Sequence, residues 1–305
     1  MIWAIAAAVA ILLIHLFLNQ PSRKSRALCY SAMRAGKRGN WTLAANFCAE
    51  AHATAGKLKE PARSRMQALV DIQWAHVLHR QGRLAEAREK IERGIADTER
   101  LFAAPPGILA GAYLWWGDLC MDLNLHQDAE AHYRHAFEDD VARDNLLGII
   151  SDLQRLADCL LSLDRRADAE PVIERAIAAE IRQTRELAAA RGHKFDEHRI
   201  TPLSASRLHL CRGEYDDACR VYRFQIERWC TPKNRPNNID PGLMYLQLAV
   251  AEERAGRFEE AARAYEEAAS AFERDWCPGH PRALAARDAL ASLESRALTA
   301  RLTRS

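Results

Sequence analysis

The sequence has little that builds strands and none of the short motifs that mark common active sites. Aromatic residues make up only 7% of the chain. Ala, Leu, Glu and Arg dominate, a balance that excludes an all-β chain and points to helices. Eight cysteines occur without one CxxC pair, which removes the usual thiolate zinc sites and dithiol redox centres. Their scatter over helical positions suits small buried residues in a reducing compartment, so all eight are expected as free thiols. No P-loop, GxGxxG, GxSxG or HExxH is present, and the chemistries those motifs carry have no support. Lysine is scarce, 7 against 36 arginines, a bias that suggests a GC-rich bacterial coding sequence.

Acid is missing altogether from residues 1–39, which hold Arg23, Lys24, Arg26, Arg34, Lys37 and Arg38. The rest of the chain carries 37 basic and 41 acidic residues, so a mildly acidic body offers no footprint for nucleic acid. Beside that basic cluster, Ile2 to Leu18 runs for 17 residues without a formal charge. It would span roughly 25 Å as a helix, close to the hydrocarbon thickness of a bilayer. No positive n-region precedes it and no small-residue cleavage site follows, which argues against a signal peptide. A single N-terminal transmembrane anchor is therefore expected. The one-sided basic flank would put the C-terminal body in the cytoplasm, at a bacterial inner membrane.

What the chain has in abundance is a repeat. "AGRFEEAARAYEEAASAF" (255–272) aligns with five upstream segments. The turn column reads Gly39, Gly82, Asn124, Asp164, Gly213 and Gly256, residue types that tolerate a left-handed backbone after a helix. Five residues on, every copy has alanine: Ala44, Ala87, Ala129, Ala169, Ala218 and Ala261. Seven residues before the turn stand Ala32, Ala75, Gly117, Ala157, Ser206 and Ala249. Small columns on both sides of a tight turn predict antiparallel helices in close contact. The larger Cys48, Ile91, Tyr133, Ile173, Tyr222 and Tyr265 would fill the space against the next pair.

These columns resemble the tetratricopeptide repeat (TPR) family over roughly residues 26–275, including the large-then-Gly pair Trp116-Gly117. The spacing of the column alanines, 40 to 49 residues, exceeds the family's usual 34 and is similar to the kinesin-light-chain-like subgroup. The implied architecture is all-α: a right-handed superhelical TPR-like solenoid of about six helix-turn-helix units with a C-terminal capping helix, preceded by the transmembrane helix. The domain plan is an anchor at 1–20, a basic juxtamembrane segment at 21–27, repeats at 28–280 and a cap at 281–305. The 49-residue interval predicts a long helix from about Ala167 to Arg191.

The resemblance also implies a function: a membrane-anchored scaffold or adaptor, not an enzyme, that holds a peptide or protein in its concave groove. Family groove positions lie two, three and six residues before each turn. They give His76, His79 and Arg80; Asp118, Met121 and Asp122; Asp158; Arg207; and Glu253 and Arg254. The same offsets also give Leu161, Ser162, Leu210, Cys211 and Val250. No catalytic residue, metal site, cofactor or small-molecule substrate is expected. The rival reading is a metal-dependent hydrolase built on the pairs His76/His79 and His132/His135, which share helix faces at i, i+3. Asp139-Asp140 reads as a solvated turn, and Trp115-Trp116 as core.

Overall fold

The structure is a computed structural model that describes residues 21–102, 107–196, 201–230 and 240–302. Among these residues there are thirteen α-helices and no strand. They are α1 (Pro21–Gly36), α2 (Trp41–Ala55), α3 (Ala62–Arg80), α4 (Leu84–Leu101), α5 (Ile108–Asp122), α6 (His126–Ala142), α7 (Leu146–Ser162), α8 (Arg166–Ala190), α9 (Ala205–Arg212), α10 (Tyr215–Trp229), α11 (Pro241–Arg254), α12 (Phe258–Asp275) and α13 (Pro281–Leu302). Successive helices pair as six antiparallel hairpins, and α13 follows without a partner of its own.

Each hairpin turns on the predicted column. Gly39, Gly82, Gly213 and Gly256 have φ between 71° and 77°, and Asn124 and Asp164 have φ of 58° and 55°. In all six copies the amide after the turn residue donates to the carbonyl five positions back: Asn40 to Ala35, Arg83 to Leu78, Leu125 to Cys120, Arg165 to Leu160, Glu214 to His209 and Arg257 to Glu252, at 2.8–3.0 Å. That bond satisfies a carbonyl the helix end would otherwise orphan, and it requires a left-handed residue. Asp144 (φ 51°) repeats the arrangement between α6 and α7, through Asn145 N–H to Asp140 O at 2.9 Å.

The small columns are where the hairpins close. All six column alanines are fully buried, as are Ala32, Ala157, Ser206 and Ala249 before the turn. Gly117 has no room for a side chain, since a Cβ there would lie 2.4 Å from the ring of Tyr133. Tyr133, Ile173 and Tyr222 are among the largest fully buried side chains. Burial of each such side chain contributes about 1.5–3 kcal/mol.

The chain divides into two compact units, residues 1–112 and 113–305, with α5 crossing the division. In the first unit α1 packs on α2 and α3 on α4. Buried Asp71 on α3 accepts from Lys90 Nζ and Arg93 Nε of α4, both at 2.8 Å. In the second unit four hairpins stack and α13 closes the end, burying Ala283, Ala286 and Leu293. α8 covers the long interval, running 25 residues to Ala190. Its Glu180 receives the Ser204 hydroxyl at 2.6 Å and the Ser204 amide at 3.2 Å, which fixes the chain where it enters α9.

The expectation of a membrane protein does not stand. No helix among the described residues is long and apolar enough to cross a membrane, and the Ile2–Leu18 segment lies outside the described residues. The basic residues expected to flank a membrane belong largely to α1. That helix buries Ser25 and Leu28, donates from Ser25 Oγ to Ala51 O at 2.9 Å and pairs Lys24 with Glu50 at 3.0 Å. The inner-membrane location and the cytoplasm-facing orientation are withdrawn together with the transmembrane helix.

All eight cysteines are free, and five of them are buried. Burial pushes the Cys48 thiol up to about 12, with Cys29 adding to the effect. Asp140 departs from the expected solvated turn, because it is buried against α7. A Cβ on Gly148 would sit 1.7 Å from its Oδ2. One turn along α7, buried Asp152 has its carboxyl pushed up to about 9, first by burial and then by the charge of Asp140.

Candidate binding cavity

The second unit contains a cavity of about 360 Å³. Its walls come from the first helices of the hairpins, which turn one face inward because their small-residue face is used by the partner helix. α5 supplies Asp118, Met121 and Asp122; α7 supplies Arg155, Asp158, Leu161 and Ser162; α9 supplies Leu210; and α11 supplies Leu243, Leu246, Gln247, Val250 and Arg254. The first turn of α13 adds Arg282 and Ala285. The wall is chiefly apolar, as in ligand sites generally, with polar groups at a few places.

Those polar groups are paired before any ligand arrives. Asp158 accepts from Arg207 Nε at 2.7 Å and Nη2 at 3.1 Å, and from Gln247 Nε2 at 2.7 Å. Gln247 Oε1 in turn accepts from the Tyr222 hydroxyl at 3.0 Å. Asp118 accepts from the Tyr133 hydroxyl at 2.9 Å and pairs with Arg155 at 3.3 Å. Burial pushes the Tyr133 phenol well above its ordinary value, and the Asp118 charge pushes the same way. Asp122 accepts from Arg282 Nε at 2.5 Å. Burial disfavours the Arg282 charge, but Asp122 and Asp118 outweigh it and hold the guanidinium above its ordinary value. Desolvated pairs of this kind are rigid, since removing one partner strands the other.

No family model matches this chain, and no curated protein matches it. Solved structures do. Aspartyl phosphate phosphatase F from Bacillus subtilis is 14% identical with a TM-score of 0.54, covering 93% of this chain and 75% of that one. A Rap protein complexed with competence and sporulation factor is 13% identical with a TM-score of 0.55, covering 90% and 76%. A putative kinesin light chain with nearly identical TPR-like repeats, from Podosopora anserina, is 13% identical and covers 84% and 97%; its TM-score of 0.47 carries no further argument.

The chain has a TPR-like fold. Within that fold the expected groove residues divide. Asp118, Met121, Asp122, Asp158 and Arg254 line the cavity of the second unit, together with Leu161, Ser162, Leu210 and Val250. Arg207 sits behind the wall and holds Asp158. Glu253 faces away from the cavity, accepting from the Tyr265 hydroxyl at 2.9 Å and from Arg296 at 2.6 Å. In the first unit His79 is buried, His76 packs edge-on against Trp41 at 6.1 Å, and Arg80 lies over the same ring at 6.0 Å. Burial, with Arg80 and His79 nearby, pushes His76 well below the ordinary histidine value.

Ten lining residues lie outside the offsets read from the sequence, Arg155, Leu246, Gln247 and Arg282 among them. Arg155 and Gln247 stand nine residues before their turns, one helical turn above the outermost groove offset. The TPR-like inner face therefore continues further up each first helix than those offsets reach, as its 3.6-residue period allows. Leu246 follows the same logic at ten. Arg282 carried no signal, because it lies beyond the last repeat.

Among the described residues, no cluster of three ligand atoms contains both members of either histidine pair. His132 stacks on Trp116 at 3.9 Å, and His135 on Tyr113 at 5.1 Å. His209, Glu214 and Asp217 do converge at the α9–α10 turn. His209 Nδ1 is 2.6 Å from Glu214 Oε2, and Asp217 holds Arg220, so ordinary ion pairs account for that group.

Proposed function

We propose that the chain is a non-enzymatic protein-interaction module and that the cavity of its second unit takes a short segment of a partner protein. The observation that carries this reading is the joint lining of one largely apolar, 360 Å³ cavity by the inner faces of α5, α7, α9 and α11. Its volume suits a few side chains, not a whole helix, so the partner inserts an extended or turning segment of about three residues. The pre-paired Asp158 and Asp118 clusters support it as well. A wall held by its own ion pairs is ordered before binding, which lowers the entropic cost of association. The fold shared with a Rap protein in complex with competence and sporulation factor is compatible with a bound factor.

The test is a pair of substitutions in the full chain. Leu246→Glu places an unpaired carboxylate in the apolar wall and should abolish capture of the partner. Phe258→Glu, on an exposed side chain outside the cavity, should leave capture unchanged. Equal capture by both variants would refute the assignment of the cavity.

A further inference from the structure

One wall of the cavity does not come from a repeat. Arg282, in the first turn of α13, is 160 residues from Asp122 and bridges the last helix of the second unit to its first. Its guanidinium is almost completely enclosed. Nε donates to Asp122 Oδ1 at 2.5 Å, Nη2 donates to the carbonyl oxygen of Asp118 at 3.3 Å, and the group lies 4.8 Å from the centre of the Trp276 ring. A carboxylate, a carbonyl and an aromatic face around one planar cation make a specific guanidinium receptor. The occupant is the chain's own arginine.

A further carboxylate adds to the field on that arginine. Asp240, at the start of α11, accepts from Trp276 Nε1 at 3.1 Å, and its charge also acts on Arg282.

We infer that Asp118 and Asp122 form a docking point for a basic side chain of the partner, and that Arg282 occupies this point until the partner's own arginine displaces it. The inference rests on the cavity reading above and adds to it the class of partner: a segment with an arginine next to apolar residues. Exchange of one guanidinium for another keeps a cation on the Asp122 carboxylate, whereas a neutral or acidic segment supplies none. The apolar neighbours of the incoming arginine would lie on Met121, Leu161 and Leu246.

Two fluorescein-labelled peptides, Leu-Leu-Arg-amide and Leu-Leu-Gln-amide, test this by anisotropy titration against the full chain. Arg282→Ala should bind the arginine peptide at least about tenfold more tightly than the unaltered chain does, and the glutamine peptide no more tightly. Adding Asp122→Asn should erase the gain. Arg282→Leu, which refills the space with apolar atoms, serves if Arg282→Ala does not fold by circular dichroism. Failure of the variant to bind the arginine peptide, equal gains for both peptides, or a gain that survives Asp122→Asn would overturn the inference. The cavity reading fails separately. Binding without arginine preference that Leu246→Glu abolishes keeps the cavity and removes the docking point. An arginine preference untouched by Leu246→Glu does the reverse.

Discussion

Asp152→Asn should stabilise the second unit and flatten its response to pH. Asp152 is buried on α7 beside Asp140, and its carboxyl keeps its proton up to about 9 in the folded chain. The unfolded chain loses that proton near the ordinary value of 3.8. Folding therefore takes up a proton throughout the interval, and stability falls as pH rises through it, by as much as about 1.4 kcal/mol per unit. The stabilisation is complete only below the ordinary value and is lost as pH climbs to about 9. His52 and His76, both pushed down by burial, titrate below 6.5. The buried thiols titrate above 9.0. Between about pH 7 and 8.5 the Asp152 proton dominates, and the unaltered chain should lose about 2 kcal/mol. An amide at this position mimics the protonated acid and has no proton to lose. Urea titrations at several pH values would read both slopes. The variant should be the more stable at pH 8.5, with little slope. Equal slopes for the two proteins would refute the argument, since Asp152 would then not be carrying the proton.

Gly117→Ala should destabilise by about 1–2 kcal/mol despite its better helix propensity, because the methyl enters the Tyr133 ring. The same change at Gly111, on the same helix with nothing within 4 Å, should stabilise by about 0.5 kcal/mol; thermal melts compare the two. Ala169→Leu and Ala218→Leu push methylenes into fully buried column positions and should cost about 1–3 kcal/mol. Ala178→Leu, on an exposed face, should stay within about 0.5 kcal/mol. Hydrogen exchange should show the Ala169→Leu damage first in the neighbouring hairpins, because a repeat couples only to its neighbours. Alkylation of the denatured, unreduced chain should modify all eight cysteines, and in the native chain Cys48 should react among the slowest.

The hairpins were legible because their constraints act within a few residues. A left-handed turn admits few residue types, and two helices in contact five residues after it admit only alanine there, so the columns around Gly256 or Asp164 are written into the sequence. The cavity was legible in part, for the same reason: Asp118 and Asp158 share an inward offset with their neighbours, and the face simply ran one turn further, to Arg155 and Gln247. Pairings across the unit were not legible. Nothing near Asp122 announces an arginine 160 positions away, and nothing in Asp139-Asp140 announces that one carboxyl turns inward over Gly148. His76 and His79 were ambiguous. Their i, i+3 spacing is shared by ligand pairs and by histidines that are simply packed into the fold, as His76 is against Trp41.

Site-specific photo-crosslinking in cells tests the central claim most directly. A photoreactive residue is placed in the full chain in turn at Leu161, Leu246 and Val250, inside the cavity, and at Ala178 and Phe258, outside it. The account predicts one partner crosslinked from all three inner positions, through the same short arginine-containing segment, and no such product from the outer two. A partner trapped equally well from Ala178 or Phe258, or inner positions that trap nothing while the outer ones do, would contradict it.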